Sequence, residues 1–353
     1  MFGVIGYNSV PASTSTFTTE WNVEIDHTKC GTANTDTATL LVKLQSDSLK
    51  HTSRGGYVRS MQGNDIRFYE TDTNMLMKWY KERYDPDSGI VIMWVKKNQV
   101  TYATNGTFKM DCGRTYDTST FHGGATGSAW KSTAKAIYPM NDATGSNLTD
   151  VSGNSNTATP TNNPNRYTGK IGYAEWMASA FTQYYTAALT TFDGVSACSF
   201  VFLAYRANSS SSVIVSKHIA ANALSCYDYY DNFNYFQLGS AYGYFYNPVS
   251  STWQHLAYVF DGSASGNSNR CKIYADGVNQ TLSFSGTIGS TTTSSGGDMK
   301  IGKDGGLADY QNGGIDMLVM YKEAITSSRV AILYNNWNSP GNLGSPSFLR
   351  FYH

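Results

Sequence analysis

The chain has 353 residues, enough for about two domains at roughly 150 residues each. Charged residues make up only 15%, Lys+Arg and Asp+Glu both count 26, and the formal net charge is zero. That composition excludes the clustered basic excess that nucleic-acid binding needs, and also the high-charge, low-hydrophobicity balance of a disordered chain. Aromatic residues reach 14%, with 26 Tyr, and such residues favour pleated, half-buried surfaces. The expected fold class is all-β.

The N-terminus, MFGVIGYNSVPASTSTF, has neither the basic leader nor the apolar core of a secretory signal. No stretch reaches the roughly 18 apolar residues of a membrane helix, so no membrane insertion is expected. Short β-branched and aromatic runs follow: TATLLVKL (37–44), NDIRFYE (64–70) and IVIMWVKK (90–97), then GYFYN (243–247), HLAYVF (255–260) and KIYAD (272–276). Turn residues separate them at the spacing of sandwiches and barrels. Between Thr73 and Tyr84 the apolar spacing fits a short helix or an irregular strand. Thr326 to Trp337 has an N-cap candidate in Thr326 and apolar residues at Val330, Leu333, Tyr334 and Trp337, which predicts one short C-terminal helix.

The Ser/Thr/Gly-rich stretch between Gly113 and Ala134 reads as a linker or long loop. The expected division is an arm at 1–14, a β-sandwich at 15–114, a linker at 115–135, a second β-sandwich at 136–345 and a tail at 346–353. The arm and the segment SPGNLGSPSFLRFYH (339–353) are candidates for contact with neighbouring subunits of a homo-oligomer. Cys30, Cys112, Cys198, Cys226 and Cys271 are scattered without a C-x-x-C pair. They read as buried thiols, with one disulfide as the alternative.

AIYPMNDATGSNLTDVSGNSN from Ala136, GKIGYAEWMASAF, CSFVFLAYRA, STWQHLAYVFDG, CKIYADGVNQ, MKIGKDGG and GGIDMLVMYKEAITSSRVAILYN occur in that order. The series resembles the laminin-G-like, concanavalin A-like jelly roll of the pentraxin-related type over nearly all of 136–340. In the first half, TLLVKL, GNDIRFYETDTNMLMKWYKERYD, IVIMWVKKNQV and GTFKMDCG resemble a β-sandwich family of unknown function. Its members often precede laminin-G-like domains in microbial surface proteins and phage proteins. The implied fold is two β-sandwich domains, the second a jelly roll.

That fold hosts both lectins and glycosidases, so function must be argued from the site. Its glycosidases usually carry Glu-x-Asp-x-x-Glu along one strand, since retaining hydrolysis needs two close carboxylates. Here Glu24-Ile-Asp26 meets Lys29 instead of the second Glu, Glu70-x-Asp72 meets Met75, and Glu175 and Glu323 fall in unrelated motifs. No G-x-S-x-G elbow or H-E-x-x-H occurs, and no catalytic residue is assigned.

Binding remains. CYDYYDNFNYF (226–236) and AYGYFYNP (241–248) set aromatic rings beside Asp and Asn, the mixture on which sugars stack and hydrogen-bond; core packing or a subunit interface would use the same rings. Tyr229, Tyr230, Asp231, Tyr244 and Tyr246 are the candidate glycan residues. The resemblance also implies one structural calcium ion, with Asp150, Asn154 and Asp316 as candidate ligands. Without the metal, Asp316 would accept backbone N–H bonds from the 150–154 turn. The function that follows is a non-enzymatic surface protein of a virus particle: a phage head decoration, head fibre or tail adhesin. Its expected partners are other virion proteins and a host-surface glycan. The alternatives are a secreted or cell-surface microbial adhesin and, third, a polysaccharide-degrading enzyme.

Overall fold

The run TLLVKL has apolar residues at consecutive positions, and a strand of that kind must bury both faces. In the computed structural model, which describes residues 19–113, 121–207, 212–219, 222–230, 232–248, 251–294, 296–306, 309–343 and 347–352, it does. Leu40, Val42 and Leu44 of strand Thr35–Gln45 enter one core, and Leu41 enters another. Strand Ile90–Val100 divides likewise, with Val91, Met93 and Val95 on one side and Ile92 and Trp94 on the other. These strands and Lys78–Asp85 form a three-stranded middle sheet. Thr73 to Tyr84 therefore yields a strand rather than a helix.

A five-stranded terminal sheet covers one face of the middle sheet, in the order Asn342–Leu343, Leu349–Tyr352, Thr19–Ile25, Gly106–Cys112, Arg67–Glu70. The C-terminal tail thus pairs with its own chain: Leu349 lies opposite Ile25 and Tyr352 opposite Asn22. The segment expected as a tail is thus a strand of the first domain's own sheet. Leu349 and Phe351 drop into the first core, and the Arg350 guanidinium meets the Asp26 carboxylate at 2.9 Å. Covering the edge of Thr19–Ile25 removes a template for intermolecular pairing. Leu349→Ala is expected to destabilise the chain by about 2–3 kcal/mol, read as a lower urea midpoint with unchanged slope. The arm at 1–14 lies outside the described residues.

The second half is a jelly roll of two eight-stranded sheets. Its near sheet runs in the order Val278–Asn279, Cys271–Ala275, Trp253–Asp261, Ala197–Arg206, Gly313–Tyr321, Tyr173–Met177, Asn165–Thr168, with Ala134–Tyr138 also on Gly313–Tyr321. Its far sheet runs Ser283–Ser285, Ala241–Tyr246, Phe233–Leu238, Asn222–Tyr230, Ser212–Ile219, Met299–Ile301, Tyr184–Ala187, Thr159–Thr161. Phe200, Phe202, Phe236, Leu256, Tyr258 and Phe260 fill the space between. Every cysteine is buried and free, with Cys198, Cys226 and Cys271 in this core.

The helix Ser327–Asn338 begins as expected, with the Thr326 side chain accepting from the Arg329 N–H. Among the described residues the other α-helical segment is one turn, Asn267–Arg270, and four short 3-10 turns lie in loops. The longer helix joins the halves: Val330, Leu333 and Trp337 pack into a third core with Leu41 and Trp94 of the middle sheet and Val201, Ala257 and Val319 of the near sheet. Asn336 donates to the Leu41 carbonyl at 3.0 Å and accepts from the Leu41 N–H at 2.5 Å, serving the open edge of the middle sheet as a neighbouring strand would. The described part of the linker is packed too, with Trp130 against Trp94 at 5.3 Å.

Candidate functional site

Phe233–Leu238 and Ala241–Tyr246 form a hairpin closed by Gly239-Ser240, with Leu238 opposite Ala241. Gly239 has φ +71°, the conformation a two-residue turn asks of its first central residue. So tight a turn fixes the register. Phe233, Tyr235 and Gln237 therefore stand opposite Tyr246, Tyr244 and Tyr242. Between them Phe236 and Leu238 face the jelly-roll core, with Phe245 packed against it. Period-2 alternation then sends the other set to the outer face.

Five rings meet there. Tyr235 and Tyr244 stack at 5.3 Å and 20°, and Phe233 lies 5.5 Å from both Tyr244 and Tyr246. Tyr242 is 5.4 Å from Tyr235, and Tyr246 is 61% exposed. On the adjoining strand Tyr227 continues the row and donates its hydroxyl to Asp304 Oδ2 at 2.6 Å. The platform rests on buried polar side chains. Asn234 donates to the Tyr258 hydroxyl at 3.0 Å, Asn247 donates to Asn234 Oδ1 at 2.8 Å, and Tyr258 donates to the Tyr227 carbonyl at 2.6 Å. Burial raises the nearby Asp228 carboxyl to about 6 against the pull of Arg206.

Of the expected glycan residues, Tyr244 and Tyr246 are brought together here. The side chains of Tyr229 and Tyr230, and Asp231 altogether, lie outside the described residues. Phe233, Tyr235 and Tyr242 were not singled out from sequence, although the alternation in FNYFQL and AYGYFY carries the signal.

The calcium candidates do not converge. Asp150 Oδ1 accepts from the Ile137 and Ser152 N–H groups at 2.9 Å, and Oδ2 from the Asn156 N–H at 2.9 Å and the Ser152 hydroxyl at 2.8 Å. Asn154 donates to the Ala134 carbonyl at 3.2 Å. Asp316 faces a different segment, its Oδ2 accepting from the Ile171 N–H at 2.8 Å. A Cβ on Gly169 would sit 2.4 Å from that oxygen, so only glycine admits the approach. The expected turn partner, 150–154, is replaced by the loop 169–172. Lys43 of the middle sheet donates to the Ile171 carbonyl at 2.6 Å and binds the same loop to the first half. Among the described residues no three His, Cys, Asp or Glu side chains are placed to hold a metal. Asp150 and Asp316 are thus held by backbone N–H groups of two separate segments, and chelation with EDTA is expected to leave the melting temperature unchanged.

Neither second-half glutamate faces the platform. Glu175 is fully buried, accepts from the Tyr185 hydroxyl at 2.7 Å, and is raised to about 8 by that burial. Glu323 meets Lys131 and Arg329, each at 2.7 Å. Asp316, 1% exposed, is pushed up to about 7 by burial, against the lowering effect of the Ile171 and Lys170 N–H groups and Lys43. For both Glu175 and Asp316 the folded state holds a proton that the unfolded state releases near pH 4. Their contribution is complete below that pH and is lost as pH rises through about 7 to 8. Urea midpoints should therefore fall between pH 5.5 and pH 8.5, with a shallower fall in Glu175→Gln; equal slopes for the two proteins would contradict this.

A second aromatic row, also not foreseen, crosses the near sheet. Tyr167, Trp176, Tyr205 and Trp253 follow one another at 5.6, 5.5 and 5.6 Å. Gly314 lies between Trp176 and Tyr205, where a Cβ would come within 2.9 Å of the Trp253 ring.

Two antiparallel sheets packed around one core define a jelly-roll sandwich. The chain belongs to the concanavalin A-like lectin/glucanases superfamily, whose family model matches residues 152–331. A domain of unknown function, DUF2341, matches 62–164 and so crosses the expected linker. No curated protein matches the chain. Among solved structures, domain 4 of AbnA, a GH43 extracellular arabinanase from Geobacillus stearothermophilus in complex with arabinotriose, is 18% identical with a TM-score of 0.45, covering 57% of this chain and 98% of that one. The binding domain of Paraclostridial Mosquitocidal Protein 1 is 14% identical at 0.45, covering 59% of this chain and 53% of its own. The receptor-binding domain of botulinum neurotoxin mosaic serotype C/D is 10% identical at 0.44, covering 60% and 51% respectively. This chain thus spans about half the length of the last two.

Proposed function

We propose that this is a non-catalytic glycan-binding adhesion protein, displayed on the surface of a virus particle, whose far-sheet rings hold the sugar. The observation that carries the proposal is the group Phe233, Tyr235, Tyr242, Tyr244 and Tyr246 on an outer sheet face. Flat rings offer apolar area to sugar C–H faces while their hydroxyls supply hydrogen bonds. Membership of a superfamily of lectins and glucanases is in keeping with this. A non-catalytic role is supported by Glu175 lying in the core and Glu323 lying in an ion-pair network. The virion assignment rests on the module order and the neutral composition; a secreted microbial adhesin would use the same platform. Capsid and tail genes beside this one favour the particle, and a sortase or secretion operon favours the adhesin.

The test is a glycan array probed with the full chain and with Tyr244→Ala. Hits that weaken in the variant support the proposal, and an array with no hits overturns it. Reducing-sugar release from a bound polysaccharide that disappears in Glu175→Gln or Glu323→Gln would overturn the non-catalytic part.

A further inference from the structure

The far sheet has a second chemical feature on the same outer face, on the other side of its centre. Met299 and Ile301 enter the jelly-roll core, which turns Lys300 outward; Tyr185 does so on the next strand, which turns Tyr184 outward. Lys300 Nζ lies 5.7 Å from the Tyr184 ring centre and Lys303 Nζ lies 5.0 Å from it. Lys303 is also 5.4 Å from the ring of Tyr310, which is 6.2 Å from that of Tyr184. Two ammonium groups therefore lie within 6 Å of one tyrosine ring. Lys300 donates to the Thr186 hydroxyl at 3.0 Å, and among the described residues neither lysine has a carboxylate within ion-pair distance.

The loop that carries Lys303 is pinned. Asp304 is fully buried and accepts from the Tyr227 hydroxyl, and the Gly305 N–H donates to Ser216 Oγ at 2.9 Å. Tyr227 belongs to the aromatic row, so the platform and the lysine pair are tied through Asp304. Four strand steps separate Ala241–Tyr246 from Met299–Ile301, which is about 19 Å at roughly 4.8 Å per step. A short oligosaccharide spans that distance.

The geometry points to a subsite for a carboxylated sugar at Lys300 and Lys303, framed by Tyr184 and Tyr310, so that the ligand of the far sheet is an acidic glycan. This rests on the proposal that the far-sheet face binds glycan, and it names the glycan's class. Two like charges held beside one ring repel each other, and a bound anion relieves the repulsion. A carboxylate also accepts charge-assisted hydrogen bonds from both ammonium groups. The rings add the apolar surface against which the sugar carrying the carboxylate would lie.

Polygalacturonate, hyaluronan and polysialic acid, each beside its carboxyl-reduced neutral form, are the probes for calorimetry with the full chain, together with the neutral glycans of the array. At least one acidic polymer should bind about tenfold tighter than its reduced form, with the difference shrinking as salt rises. Lys300→Gln/Lys303→Gln should abolish that difference, keep the melting temperature, and leave binding of the neutral form intact. Equal binding of the acidic and reduced forms overturns the subsite, as does a preference that survives in the double variant. Binding of neutral glycans with none of the acidic polymers also overturns the subsite, and the platform then stands alone. No binding to any glycan overturns the platform itself, and the subsite with it.

Discussion

Trp337→Ala is expected to destabilise the chain by about 3–5 kcal/mol, the usual cost of removing a fully buried large aromatic side chain. Trp337 is 1% exposed and meets Trp94 of the middle sheet at 5.8 Å and His255 of the near sheet at 5.3 Å. It therefore touches both halves, and the cavity left by alanine opens where they join. Because the two sandwiches share this third core, the parent should unfold in one urea transition that all probes report together. In the variant the transition should move to lower urea and separate into two. A loss under about 1 kcal/mol, below the range for such a cavity, with one transition retained, would show that the helix does not couple the halves.

The second large effect concerns two adjacent residues with opposite outcomes. Tyr235→Ala should weaken binding of the best array glycan about tenfold or more, as loss of a central aromatic contact commonly does, and cost far less stability than Phe236→Ala. Tyr235 stands on the outer face, stacked on Tyr244. Phe236→Ala should unfold the chain several kcal/mol more easily, by about 3–5, since Phe236 is fully buried against Phe200 and Tyr258. The contrast follows from period-2 alternation alone. Calorimetry and urea unfolding on both variants check it, and a Tyr235→Ala protein that binds as the parent does would contradict it.

Local pattern made much of the fold legible. The Thr326 cap and the spacing to Trp337 placed the helix, and the doubly apolar run at 39–44 marked a strand buried on both faces. What local pattern cannot carry is a partner far along the chain. Leu349–Tyr352 reads as a tail, yet its partner strand lies at Thr19–Ile25. The sequence marked Asp316 as a charge in an apolar strand, but its N–H donor, Ile171, is 145 residues away, where no local pattern points to it. The platform was half legible. Aromatic density drew attention to the right hairpin, while the choice among its rings depended on the turn at Gly239-Ser240, which sets which residues oppose one another.

The most direct test of the account is the structure of the chain crystallised with its strongest array ligand. The account predicts a sugar ring lying over Tyr235 and Tyr244, within reach of Tyr242 and Tyr246. Sugar density on the near-sheet row of Tyr167, Trp176, Tyr205 and Trp253, with the far-sheet rings bare, would contradict it.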